Sequence, residues 1–171
     1  MTSAVSETLK EVEVLRHQAQ ITRKVLDLNL DGVTHEESLI QPTPGGNCLN
    51  WVVGHLLWTY HQMLPLVGQK PVLEEAALKR YARGTPALES PAEALDLKKL
   101  ITAWHETNDR IDAGFANLTA DALDKPAPSS PSNNPNETVR SLLSTVLFHQ
   151  AYHAGQTGIL RRIAGKAGAI A

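Results

Sequence analysis

Apolar residues recur at steps of three and four along four long stretches, and no stretch alternates apolar with polar positions as a half-buried strand does. The first stretch predicts a helix from Val5 to Leu30. Val5, Leu9, Val12, Leu15, Ala19, Thr22 and Leu26 line one face, while Glu7, Lys10, Glu11, Arg16, His17, Arg23 and Lys24 lie mostly off it. Asp31-Gly32 ends this helix, because glycine takes the left-handed backbone of a helix terminus without strain. Thr34-His35-Glu36-Glu37 has capping-box spacing and predicts a short turn through Leu39, with His35 exposed. Pro42, Pro44, Gly45 and Gly46 then form a loop.

Asn47 is the expected N-cap of the second helix, which runs through Leu49, Trp51, Val52, Val53, His55, Leu56, Leu57, Trp58, Tyr60 and Met63 to Leu64. Apolar nearly all round, it reads as a central helix or one that also buries an oligomer face. His55 shares a stripe with Trp51, Trp58 and Gln62, whereas His61 faces the surface or an interface. Pro65 bends the last turn and Gly68 closes it. Residues 69–89 are a connection, long enough for a crossover or a lid, with a short helix expected from Leu73 to Tyr81. Ser90-Pro91-Ala92-Glu93 combines N-cap, first-turn proline and capping-box acid, so the third helix is expected to start there. Its stripe is Ala94, Leu97, Ile101, Trp104, Asn108, Ile111, Phe115 and Leu118, with His105 beside it. Thr119 to Leu123 reads as a short capped turn, and Pro126 to Pro135 as a loop. The fourth helix is expected from Asn136-Glu137 to Ala164, closed by Gly165, with Arg161 and Arg162 set against the helix dipole. Four amphipathic helices without strands make an all-α four-helix bundle, a single domain over residues 1–171.

Composition narrows the function classes. Sixteen Lys and Arg against 18 Asp and Glu leave no basic stripe for nucleic acid. No apolar run reaches the ~18 residues of a membrane span, and the N-terminus lacks the pattern of a signal peptide. The single Cys48 excludes an internal disulfide and suits a reducing cytoplasm.

The chemistry collects in Phe148-His149-Gln150-Ala151-Tyr152-His153-Ala154-Gly155-Gln156. His149 and His153 stand one turn apart on the inward stripe of Val139, Leu142, Leu143, Val146, Leu160 and Ile163. Buried imidazoles need partners, and a metal ion shared with His55 is one solution. Two ligands from one helix and a third from another leave an open side, as catalytic sites do, and Cys48 lies too far along its helix to join them. The other solution is three core histidines bonded to Asn108, Tyr152 or backbone. The His-x-x-x-His spacing is also that of zinc metalloproteases, but their catalytic Glu is replaced here by Gln150, so protease chemistry is not expected. Gln156 shares the ligand face, Tyr152 points about 100° away on an ideal helix, and Gly155 is expected to allow close helix packing.

Trp51-Val52-Val53-Gly54-His55-Leu56-Leu57, taken with His149-Gln150-Ala151-Tyr152-His153-Ala154-Gly155-Gln156, resembles the DinB/YfiT-like superfamily of bacterial metalloproteins. The resemblance implies an up-down-down-up bundle, often homodimeric, with His55, His149 and His153 around a divalent metal: zinc, nickel or iron. It also implies metal-dependent transferases or isomerases that use low-molecular-weight thiols such as bacillithiol or mycothiol. Family members commonly carry Glu where Gln150 stands. The expectation is a cytoplasmic, thiol S-transferase-type metalloenzyme acting on a small molecule, with neither nucleic acid nor membrane as partner. Asn108, Gln156, Trp51, Trp58 and Tyr152 are expected behind the ligands or along the pocket wall. A non-catalytic dimeric bundle that binds a small ligand, and a metal-dependent hydrolase of a small amide or ester, are the alternatives.

Overall fold

The structure, a computed structural model, describes residues 2–170, with side chains from Lys10 onward; Val5, Glu7 and Leu9 of the first-helix pattern lie outside the described side chains. Four long helices carry the fold: α1 (Thr2–Leu30), α3 (Leu49–Met63), α5 (Leu97–Phe115) and α7 (Val139–Ile163). The one-turn helices α2 (His35–Ser38), α4 (Glu75–Leu78) and α6 (Ala120–Leu123) sit in the connections, and there is no strand among the described residues. Arg16 meets Asp112 and Asp27 meets Trp104, so α1 and α5 run antiparallel. Glu11 meets Arg140 and Asn29 meets Thr157, so α1 and α7 run parallel. The core between them holds Trp104, Tyr60, Tyr81, Phe115 and Leu26, each essentially inaccessible to solvent. Each such side chain contributes about 1.5–3 kcal/mol by leaving water. No helix among the described residues is long and apolar enough to cross a membrane.

The helix bodies follow the periodicity, but three of the starts do not follow the expected caps. Cys48 and not Asn47 is the N-cap of α3, and no side chain bonds its first turn. Cys48 is completely buried, so apolar burial fixes this entry in place of a polar cap. Pro91–Glu93 forms only a 3-10 turn, and α5 begins at Leu97 under Asp96, whose carboxylate accepts from the Lys99 N–H at 3.1 Å. The Glu93 carboxylate is taken by Arg80 at 2.8 Å and the Glu89 N–H at 3.0 Å, so the box at Ser90 never closes. Ala94 is extended before the helix and Leu118 lies beyond its end. His35 is half-buried, not exposed: its Nδ1 accepts from the Leu97 N–H at 3.2 Å, serving the first turn of α5. The N-cap of α7 is Thr138, two residues late, because buried Glu137 accepts from Ser130, Ser132 and Ser141.

The connection after α3 is part of the core. The 3-10 turn Leu64–Val67 ends in Gly68 at φ 71°, and α4 leads into a second 3-10 turn, Lys79–Tyr81. Leu78, Tyr81 and Leu88 are buried, and the Tyr81 hydroxyl donates to Asn50 Oδ1 at 3.0 Å and accepts from the Leu95 N–H at 2.7 Å. A segment so anchored does not behave as a lid. It lies directly on α3 because Gly54 has no side chain: a Cβ there would clash with the Tyr81 ring. Gly155, by contrast, faces open space and brings no helix close.

Candidate metal centre

One turn of α3 and two of α7 bring together His55, His149 and His153, the residues that the sequence singled out. His55 is 6% exposed, while the α7 pair is half-buried and leaves the cluster open on one side. The Nε2 atoms of His55 and His153 lie 3.1 Å and 3.0 Å from Nε2 of His149. Three nitrogens held about 2.0–2.1 Å from one ion at tetrahedral angles stand roughly 3.4 Å apart, and octahedral angles bring them to roughly 3.0 Å. These two separations fit a common ion within a few tenths of an ångström, and the candidate nitrogens of all three rings lie within 4.8 Å of one another.

The far sides of the rings decide which nitrogens are free. His55 Nδ1 lies 2.8 Å from the Tyr81 carbonyl, which can only accept, so this nitrogen carries the proton and Nε2 presents its lone pair. His153 Nδ1 meets Gln156 Oε1 at 2.6 Å, with the same consequence. Gln156 is itself oriented by donating from Nε2 to the Tyr152 hydroxyl at 3.3 Å. Two lone pairs thus converge on His149 Nε2, which as a donor satisfies only one of them. A cation satisfies all three. His149 Nδ1 is buried without a partner among the described residues, so this is the one histidine of the three whose outer nitrogen has no acceptor there.

Burial holds the three rings neutral, the form that binds metal. Desolvation lowers the pKa of each. For His149 the value falls from 6.5 to about 4, through desolvation first and then through the charges of His153, His55 and Arg83. Between those values the unfolded chain binds protons that the folded chain refuses, so stability is lost as the pH falls. The metal-free protein should therefore melt at lower temperature as the pH drops from about 6.5 to roughly 5.5, before ordinary carboxylates titrate appreciably. Thermal melts of chelator-treated protein across that range check this, and a flat melting temperature contradicts it.

The remaining candidates divide. Trp51 stacks on His55 with centroids 4.7 Å apart, walling the buried side. Gln156 and Tyr152 flank His153 as described, and Tyr152 is 59% exposed at the edge of the cluster. Trp58 is not brought to the histidines: it stacks instead on His61 at 6.5 Å. Asn108 is also elsewhere; buried between α1 and α5, its amide donates to the Trp104 carbonyl one turn back. His105 bonds Asp27, His61 bonds the Leu73 carbonyl and His17 is exposed, so none of these joins the cluster. Gln150, 1% exposed, turns into the core, where its Oε1 accepts from the Tyr60 hydroxyl. Tyr81 was not foreseen from the sequence, since a main-chain acceptor leaves no mark on residue type.

The model of the DinB superfamily matches residues 18–157, a span that includes all three histidines. A crystal structure of a conserved protein from Enterococcus faecalis shares the fold with a TM-score of 0.68 over 90% of this chain and 97% of that one, at 17% identity. No curated protein matches the chain.

Proposed function

The chain belongs to the DinB superfamily, and from that premise we propose that it is a metal-dependent enzyme of the thiol S-transferase type. The observation that carries this reading is the pair of committed Nδ1 atoms on His55 and His153, which leaves Nε2 lone pairs converging beside His149 with one side open. A divalent ion held there would act as a Lewis acid, lowering the pKa of a thiol or water that reaches it. Zinc, nickel and ferrous iron all suit an all-nitrogen donor set. The protein's own part is to hold three neutral imidazoles in place. Tyr81 and Gln156 fix two tautomers, and Trp51 shields His55 from water. Gln150 supplies no base, so the thiol proton would leave to solvent through the open side.

Protein purified without a histidine tag should hold one equivalent of a divalent metal, or take it up on reconstitution. It should then transfer a low-molecular-weight thiol to an electrophile such as 1-chloro-2,4-dinitrobenzene. Failure to bind any divalent metal overturns the reading. Turnover without added thiol would favour metal-dependent hydrolysis of a small amide or ester. The burial of Gln150 against Tyr60 favours the other alternative, a ligand-binding bundle without catalysis, which would bind metal and turn over nothing.

The proposal extends to a homodimer in the cytoplasm. From Ser141 to Leu160 the chain has no Asp, Glu, Lys or Arg, yet Phe148 is 73% and Ile159 60% exposed there. The parallel neighbour α1 exposes Val14, Ile21 and Leu28. The charge-free stretch of α7, beside the exposed apolar side chains of α1, suits a second copy of the same chain. Sedimentation should report a dimer for the native chain and a monomer for Phe148→Asp/Ile159→Asp. The cytoplasmic assignment is supported by a lone cysteine that is fully buried.

A further inference from the structure

We propose that Tyr60 is a positioning residue of the histidine centre: through Gln150 it sets the rotation of α7 that turns His149 toward His55. This rests on the metal-site reading above. Two of the three rings are held by hydrogen bonds of their own outer nitrogens, His55 by the Tyr81 carbonyl and His153 by Gln156. His149 has no such bond, because its Nδ1 is buried without a partner among the described residues. An imidazole that meets a metal still has to be oriented. Here the support comes from the next residue along α7. Gln150 accepts from the Tyr60 hydroxyl, a bond buried between α7 and α3.

That bond and the contact between His55 and His149 join the same two helices. His149 and Gln150 project about 100° apart on an ideal helix, so together they resist a rotation that either contact alone would allow. A turn of α7 by about 10° would carry a side-chain tip, roughly 6 Å from the helix axis, through about 1 Å. A working site tolerates only about 0.5 Å. The anchor itself is firmly set. Tyr60 is 1% exposed, and its ring stacks on Trp104 of α5 with centroids 5.8 Å apart and 22° between the planes. The Trp104 indole N–H in turn donates to Asp27 of α1 at 3.0 Å. From Gln150 the support thus passes through all four long helices. Gln150 Nε2 has no partner among the described residues, so the Tyr60 hydroxyl is the one group there that holds this side chain by a hydrogen bond. An apolar side chain of similar length would fill the space without leaving a buried N–H unpaired. Packing alone therefore does not account for an amide at this position, whereas the bond to Tyr60 does.

The test loads the native chain, Tyr60→Phe and the double variant Tyr60→Phe/Gln150→Met with cobalt(II), each held well below its melting temperature. The double variant removes both partners of the bond and leaves neither as an unpaired buried group, so it carries the test if the single variant folds poorly. Chelator competition measures cobalt affinity, and d–d absorption reports the geometry at the ion. Both variants should bind cobalt about 10-fold more weakly than the native chain, with the d–d bands displaced as His149 loosens. A native protein that takes up cobalt, beside a double variant with unchanged affinity or unchanged bands, overturns the assignment of Tyr60 alone; the bond would then serve packing only. A native protein that takes up no cobalt overturns the metal centre, and this proposal with it.

Discussion

Substituting His153 with Ala should lower metal affinity by at least about 100-fold while leaving the helical content nearly unchanged. Two nitrogens remain after the change, and neither of the other histidines has a spare neighbour to replace the third. The structural cost is small because the ring is half-buried at the open side and its only hydrogen-bond partners among the described residues are His149 and Gln156, both within one turn of α7. Chelator competition measures the first quantity and far-ultraviolet circular dichroism the second. A variant that loses its helicity would mark His153 as a packing residue. Unchanged metal affinity would place the metal elsewhere.

Gly54→Ala should destabilise the protein although it replaces a glycine inside a helix. In an ordinary helix interior, Gly to Ala stabilises by about 1 kcal/mol. Here the added methyl occupies the position of the Tyr81 ring, and overpacking of a dense core costs typically 1–3 kcal/mol. The second effect wins, because Tyr81 is fully buried and held by Asn50 and Leu95, with no room to step aside. The net loss, up to about 2 kcal/mol, lowers the melting temperature by up to roughly 4–8 °C in a chain of this size. Metal affinity should fall as well, since displacing Tyr81 moves the carbonyl that fixes His55. Gly155→Ala is the matched control: nothing lies within 4 Å of its added Cβ, so the helix-propensity gain should appear alone as a small rise in melting temperature. If the two alanines behave alike, close packing at Gly54 is not what holds the connection.

Helix bodies and the histidine cluster were legible in the sequence because both are written in the periodicity. Val12, Leu15, Ala19, Thr22 and Leu26 are buried as their spacing requires, and the same spacing turned His149 and His153 inward. What the spacing could not reveal was which partner a polar group finds. Glu93 satisfies the capping rule in sequence, but Arg80 competes for it from the other side of the loop. Asn108 does lie on an inward stripe, yet inward for a helix in a bundle means any of several grooves, and its own faces α1. Trp58 shares a stripe with His55 and still swings to His61. Gln150 was legible as the replacement for a protease base, but its hydrogen bond to Tyr60 joins residues that nothing local connects.

The bond from His55 to the Tyr81 carbonyl bears on how such a site can change by mutation. An acceptor on the main chain is supplied by every residue type, so no codon change at position 81 can delete it outright. Heritable control of the His55 tautomer passes instead to the path of the backbone, set by the missing side chain at Gly54 and the volume of the ring lying on it. Variation along the neighbouring turn can therefore shift the carbonyl that orients His55 while the three histidines stay intact. In this fold the orientation of the cluster is free to drift apart from the identity of the histidines that form it.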